Sequence, residues 1–410
     1  MKNFFLKQLK KILKSLARAT IKKYQPGIIA LTGSVGKTST KLAVYAVLSG
    51  VRKVRMSPAN FNNEIGVPLA ILGDWEKIRG YFFWLRVILK SIIRIIFRFD
   101  YPEILILEYA VDRPGDMKYL IDIARPQIGV FTALGDVPVH VEFFQNPEAI
   151  LKEKSRLIES LPSNGFAILN ADDNHVLMTK DKTNAHVLTY GFLAQAEVRI
   201  TNFEYRYDGG KPNGVFFKIN YSGTFVPVKI SGIFSKAQVY SCAAAATVGL
   251  AFGLNLVKIS ENLERFQAYE GRMQMFSGLN GSYVLDDSYN AAPASMWNAL
   301  NTLKNLKGRR RVAILGDMLE IGSYSIPVHG AVGKEVAKFV DLLITVGPRG
   351  RFIGDAAKKS GLSLKKIFTF NNVNEAIEKV PSMIQEDDLV LIKASHSIGL
   401  DKLVREIKKI

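Results

Sequence analysis

The run PGIIALTG (26–33) passes straight into SVGKTST (34–40) and then into the helical-looking TKLAVYAVLSG (40–50). The apolar run is strand-length, glycines bound the turn, and the next stretch is helix-length and largely apolar, so the unit reads as strand, loop, helix. A strand apolar on consecutive residues must be covered on both faces, which points to a parallel sheet layered with helices. The same grammar recurs in EILILEYA (103–110), QIGVFTAL (127–134) and GFAILNAD (165–172). Residues 196–232 read instead as antiparallel strands joined by Gly- and Asn-containing turns. From YVLDDSYN (283–290) onward, RRVAILGD, DLLITVG, KIFTF and DLVLIKAS describe a second α/β unit.

At 410 residues the chain exceeds what one hydrophobic core organises. The expectation is α/β throughout: a central domain over 26–268 with a phosphate-binding loop and a parallel sheet, and a Rossmann-like C-terminal domain over 269–410. Residues 1–25 form a separate basic amphipathic helix. Cys242 is the single cysteine, which excludes a disulfide framework or a Cys-rich zinc site.

The net charge of +18 is unevenly spread. Residues 1–24 hold eight Lys/Arg and no acid, and residues 76–99 hold six against Glu76. The remaining body is only mildly basic, which argues against a nucleic-acid surface. In the first segment Phe5, Leu9, Ile12 and Leu16 follow helical spacing, with lysines on the opposite arc. Lysines interrupt every apolar stretch, so it is no secretory signal. The second segment, a basic apolar helix at about 78–99, carries Arg86, Lys90, Arg94 and Arg98 at four-residue intervals. Charges at a bilayer centre cost roughly 2.5–3.5 kcal/mol each even on the mildest scale, so a spanning helix is disfavoured. Lying in the headgroup region suits it better, and a core-facing helix or a partner-binding face are the alternatives.

The chemical signal is concentrated in Thr32–Thr40. Gly33, Ser34 and Gly36 let backbone N–H groups approach phosphate oxygens, and the following helix N-terminus favours an anion. Lys37 suits β/γ-phosphates, and Thr38, with Ser39 beside it, suits Mg²⁺ and phosphate contacts. The strict motif has a further glycine where this chain has Leu31. A triphosphate brings a metal: Glu108 at a strand end and His140 after another are the candidates, with oxygen ligands preferred by Mg²⁺.

These residues, with NFNNEIGVPLAIL (60–72), LEYAVDRPGDMKYL (107–120), EGRM (270–273), DDSYNAAPASMWNAL (286–300), AILGDMLEIG (313–322), His329 and LIKASHS (391–397), resemble the Mur ligase family in its MurF branch. The resemblance covers about residues 28–405. It implies an ATP- and Mg²⁺-dependent, ADP-forming ligase. Such an enzyme makes an amide through an acyl phosphate, adding D-Ala-D-Ala or a similar amine to a muramoyl-peptide in cell-wall synthesis.

By family position, Lys37, Lys154, His140 and Arg272 are catalytic. Thr38, Glu108, His140 and a carbamylated Lys154 hold the metal. Asp287, Tyr289, Asn290 and Arg272 join the loop in binding the nucleotide. Asn62, Asn63, Asp317, Glu320, Lys393 and Ser395 face substrate, the last four toward the amine, and residues 268–272 are a hinge. Apart from the resemblance, Lys154 reads as a surface lysine, His140 as a loop histidine, and Asp317 and Glu320 as solvated caps.

The chain departs from the family in several places, among them Ala292 in YNAAP and a segment before His140 two residues longer than expected. About 26 residues precede the first strand, where relatives carry a uridine-nucleotide domain. Ser241 stands where an asparagine is expected near the adenine. The expected setting is cytoplasmic, at the inner face of the membrane if the basic helices contact lipid, with no nucleic acid as partner. A different acceptor, lipid-linked or of poly-glutamate type, and a non-catalytic nucleotide-dependent scaffold are the competing readings. Retention of the charged set from Lys37 to Arg272 speaks against the scaffold.

Overall fold

A computed structural model describes residues 2–58, 60–75, 78 and 80–408, with backbone only at 2, 3 and 81. Glu76, Lys77 and Arg79 of the second basic segment lie outside the described residues, as do Met1, Lys409 and Ile410 at the ends of the expected N- and C-terminal units. The architecture is α/β, built on two sheets. The first is assembled from β1 (Gly27–Thr32), β2 (Val54–Met56), β3 (Ile104–Glu108), β4 (Ile128–Phe131), β5 (Phe166–Asn170), β6 (His186–Gly191), β7 (Val198–Asp208), β8 (Lys211–Tyr221) and β9 (Thr224–Ser231), in the order β2-β3-β1-β4-β5-β6-β7-β8-β9. Strands up to β7 pair in parallel, whereas β7-β8-β9 form an antiparallel meander. Alternating burial along β9, where only every second residue is covered, is what a one-sided antiparallel strand requires.

The second sheet comprises β10 (Gln274–Ser277), β11 (Tyr283–Asp286), β12 (Arg310–Gly316), β13 (Leu342–Val346), β14 (Ile367–Phe370) and β15 (Asp388–Lys393), ordered β10-β11-β15-β12-β13-β14. It is parallel except for its edge strand β10. β15 is buried along its whole length, as a central strand covered on both faces must be.

Helix Lys37–Ser49, which follows β1, packs on helix Lys236–Ala251. The four alanines Ala243–Ala246 of the latter are all buried, and their small side chains allow that close approach. Cys242 is sealed in the same core, and burial pushes its thiol well up, so it behaves as a small hydrophobe. A further core runs between the sheets: Phe131, Leu134 and Val141 on one side meet Leu285, Met296 and Leu315 on the other.

The N-terminal helix Lys2–Tyr24 packs on helices Gly66–Leu72 and Gly80–Ile96. Its buried stripe differs from the expected one. Leu9, Leu13 and Ala17 go inward at four-residue spacing, Leu16 is half-buried, and Phe5 and Ile12 stay exposed. The spacing alone does not say which part of a broad apolar arc the neighbouring helices will cover. Arg94 also turns inward, donating to the Leu72 carbonyl at 2.8 Å.

Candidate active site

β1 lies between β3 and β4, where the strand order of the first sheet reverses, and a crevice opens there beyond the strand ends. The loop after β1 fills it. Gly33 has φ +145°, and a Cβ there would sit 2.1 Å from the Thr132 hydroxyl oxygen. Gly36, at φ +85°, leads into helix Lys37–Ser49 with no side-chain cap. The first-turn N–H groups are thereby left for an anion.

Two lysines converge on this loop. Lys37 Nζ donates to the Gly33 carbonyl at 2.7 Å, and Lys154 Nζ, from helix Pro147–Glu159, reaches the same oxygen at 3.3 Å. Burial lowers the pKa of Lys37 against the attraction of Glu108. Burial first, and then the charge of Lys37, pull Lys154 down to about 7.

Glu108, the last residue of β3, is the second focus. One carboxylate oxygen accepts from Thr38 Oγ1 at 3.1 Å and pairs with Lys41 Nζ at 3.5 Å; the other accepts from Asn62 Nδ2 at 3.2 Å. Burial raises the pKa of this carboxyl, but Lys41 and Lys37 outweigh it and hold Glu108 below the ordinary carboxylate range. Arg272 Nη2 approaches Thr38 Oγ1 at 3.5 Å, and its guanidinium lies 4.1 Å from the Tyr289 ring centre. His140 stands between two carboxylates, Nε2 at 3.3 Å from Asp112 and Nδ1 at 2.9 Å from Glu320.

Two adjoining cavities result. One, of about 450 Å³, is lined by Lys37, Thr38, Asn62, Glu108, His140, Tyr289, Glu320 and Ser395. The other, of about 280 Å³, is lined by Ser39, Asp172, Tyr240, Ser241, Asp287 and Lys393. Ser34, Gly36, Arg272 and Asn290 form the wall common to both. Ser34 Oγ and Arg272 Nε are buried there without a hydrogen-bond partner among the described residues. Such orphan polar groups beside a glycine loop fit a polyphosphate, whose oxygens would satisfy them. The described residues hold no group of three or more His, Cys, Asp or Glu side chains suited to a metal. A site with one hydroxyl and one carboxylate at 3.1 Å suits Mg²⁺, which keeps water and phosphate oxygens in its shell.

Other sequence-predicted residues fall elsewhere. Lys393, expected toward the amine, lines the smaller cavity, buried against Asp287 at 2.5 Å and the Asn290 carbonyl at 2.9 Å. Asp317 lines neither cavity; it accepts from the N–H groups of Arg349 and Gly350 at 3.0 and 2.8 Å, at the start of helix Gly350–Lys359, and burial raises its pKa. Asn63 accepts from Ile65 N and Gly66 N at the start of helix Gly66–Leu72. Ser241 shares a 3.1 Å hydrogen bond with Thr40. Four neighbours of the site carried no sequence assignment: Lys41, Asp112, Asp172 and Tyr240. Lys41 lies one helical turn beyond Lys37, a spacing that marks a shared helix face. Asp172, which accepts from Tyr240 Oη at 2.7 Å, follows the strand end of GFAILNAD.

The model for the Mur ligase middle domain matches residues 92–249, and the Mur ligase glutamate ligase domain matches 271–396. The UDP-N-acetylmuramoyl-tripeptide–D-alanyl-D-alanine ligase of Mycobacterium leprae is 31% identical over 95% of this chain and 76% of its own. The chain belongs to the Mur ligase family. This Mur ligase is thus an ATP-dependent, ADP-forming peptide ligase, with ATP and Mg²⁺ as cofactors. The Bacillus subtilis ligase of the same name is 26% identical, over 96% of this chain and 79% of its own. Among solved structures, MurF of Thermotoga maritima in complex with ADP has the same fold, with TM-score 0.78 at 23% identity, covering 97% of this chain and 83% of its own.

Proposed function

We propose that this Mur ligase joins D-alanyl-D-alanine to the free carboxylate of a muramoyl-tripeptide during assembly of a peptidoglycan precursor. The convergence of Thr38, Lys41 and Asn62 on Glu108, beside the paired lysines at Gly33, carries the reading. When bound, ATP would supply the phosphoryl group that turns the acceptor carboxylate into an acyl phosphate, with ADP leaving and Mg²⁺ offsetting charge on the phosphate oxygens; the amine then displaces phosphate to give the amide. Lys37 and Arg272 offset charge on the transferring phosphoryl oxygens, a role that gains strength in a water-poor cavity. Thr38 and Glu108 would hold the metal, with His140, placed between Asp112 and Glu320, as the further candidate ligand. Lys154, once carbamylated, adds a carboxylate to the set. Asp287, Tyr289 and Asn290 serve the nucleotide; Asn62 and Ser395 border the reacting groups.

The test is mass spectrometry of product from ATP, Mg²⁺, UDP-N-acetylmuramoyl-tripeptide and D-Ala-D-Ala. Product that disappears with Lys37→Ala supports the reading. Amine-dependent ADP release that occurs only with another acceptor overturns the substrate and keeps the chemistry.

A second acceptor reading has its own observation. A cavity of about 390 Å³ is lined by Lys10 of the basic N-terminal helix together with Asn63, Glu64 and Asp116. It shares Ala110 and Asp112 with the larger catalytic cavity, so an acceptor held on a lipid has a route from that helix to the reacting groups. Comparing UDP-linked and lipid-linked muramoyl-tripeptide in the same assay separates the two. Work at the inner face of the cytoplasmic membrane belongs to this proposal. No helix among the described residues is long and apolar enough to cross a membrane.

A further inference from the structure

Helix Gly80–Ile96 buries one narrow side, with Val87 and Ser91 innermost, against the rest of the protein. Its opposite side carries Phe82, Leu85, Leu89, Ile92, Ile93 and Ile96, all exposed; Phe82 is 87% and Ile96 66% accessible. At 3.6 residues per turn these six fall within an arc of about 100°. A contiguous aliphatic and aromatic ridge of this kind is rare on a soluble monomer and marks a surface made to be covered.

The border of the ridge says what covers it. Arg86 and Lys90 follow directly around the helix, their cations 5.9 and 5.5 Å from the Trp75 ring centre. The adjoining helix Lys2–Tyr24 exposes Phe4, Phe5 and Ile12 together with Lys7, Lys11, Arg18 and Lys22. Among the described residues no carboxylate pairs with those four cations, and neither helix contains an Asp or Glu. Lys23 ties the helix ends together through the carbonyls of Arg94, Ile95 and Phe97. Apolar residues that enter the acyl boundary and cations at headgroup level beside them are the parts of an interfacial anchor. A basic surface made by two helices that carry no acid of their own is complementary to anionic headgroups.

We infer that these two helices form a fixed docking surface for an anionic lipid bilayer, the ridge of Gly80–Ile96 lying in the headgroup region parallel to the membrane. The proposal concerns a surface that lines neither catalytic cavity, and it holds whichever acceptor is used.

The test is sedimentation of the full chain with vesicles of phosphatidylcholine alone and of equal parts phosphatidylcholine and phosphatidylglycerol. The protein should partition onto the anionic vesicles about 10-fold more strongly, and high salt should reverse much of this. The variant Leu85→Gln/Leu89→Gln/Ile96→Gln, altered only at exposed positions, should lose about 10-fold of that binding while keeping its circular dichroism and ADP affinity. Arg86→Gln/Lys90→Gln should weaken the preference for anionic vesicles, the cations of the N-terminal helix keeping the rest. Wild-type protein that stays in the supernatant with anionic vesicles overturns the proposal, as does a triple variant that pellets like wild type. A concentration-dependent dimer abolished by the triple variant overturns it too, assigning the ridge to a second copy of the chain.

Discussion

His140 and Glu320 meet at 2.9 Å across the junction of the two sheets, and both hold left-handed backbone, at φ +68° and +61°. Non-glycine residues adopt that conformation at a cost, so each loop depends on its surroundings to keep it. The imidazole is held between two carboxylates, Glu320 at Nδ1 and Asp112 at Nε2, and the metal role proposed for His140 would depend on that placement. The bond from His140, against the opposing effect of burial, keeps the Glu320 carboxyl below its usual range.

Glu320→Ala should therefore raise the Mg²⁺ concentration needed for half-maximal rate by about 10-fold, the scale on which orienting partners of metal ligands act. ADP affinity measured without Mg²⁺ should stay the same. A Mg²⁺ titration that is unchanged in the variant would remove Glu320 from this role.

Lys154 has a pKa of about 7, so it is a neutral amine over the alkaline side of the physiological range. Only that form adds CO₂ to become a carbamate. Ligase activity should fall as pH drops through about 7, and stripping CO₂ should lower it further. Lys154→Met, similar in length and unable to react, should cost about 10²-fold in rate. Labelled bicarbonate should give a carbamate ¹³C resonance in the wild type; its absence would disprove the modification.

The same shifts govern stability without ligands. Lys37, Lys41, Lys154 and Lys393 all have folded-state pKa values below the ordinary 10.5, burial being the largest cause in each. Above about pH 7 the unfolded chain then binds more protons than the folded one, so stability rises with pH until the unfolded lysines themselves titrate. The Tm of the nucleotide-free protein should increase from pH 7 to pH 9, and Lys154→Met should flatten the rise. A Tm that falls over this interval would contradict the burial of these ammonium groups.

The features legible in the sequence are those encoded locally. The loop 33–38 and Glu108 at its strand end could be read because strand, glycine and helix signals sit within a few residues of one another. β2 and β6 give no such local signal: β2 has three half-buried residues and no period to detect, and β6 begins on the exposed His186. Partnerships across long sequence separations were equally hidden. Nothing near Asp317 indicates that it meets the start of a helix at Gly350, and nothing near Lys393 indicates that its counter-ion is Asp287. The exposed ridge of Gly80–Ile96 was visible as composition, but which side faces outward depends on where the N-terminal helix lands.

Asp287 and Lys393 supply the last expectation. The ammonium is buried and the carboxylate nearly so, at 2.5 Å, and Lys393 also holds the Asn290 carbonyl at the wall between the two cavities. Removing one partner leaves the other charge poorly solvated, which costs about 3–5 kcal/mol, whereas removing both avoids that penalty. Asp287→Asn and Lys393→Met should each lower stability by about that amount, and the double variant by clearly less than their sum. ADP affinity separates structure from function. If Asp287 holds the ribose, Asp287→Asn weakens ADP by about 10-fold or more, the range for a hydrogen bond to a charged group, and the double variant does not recover it. Recovery of ADP affinity together with stability would reduce the pair to a structural ion pair in the cavity wall.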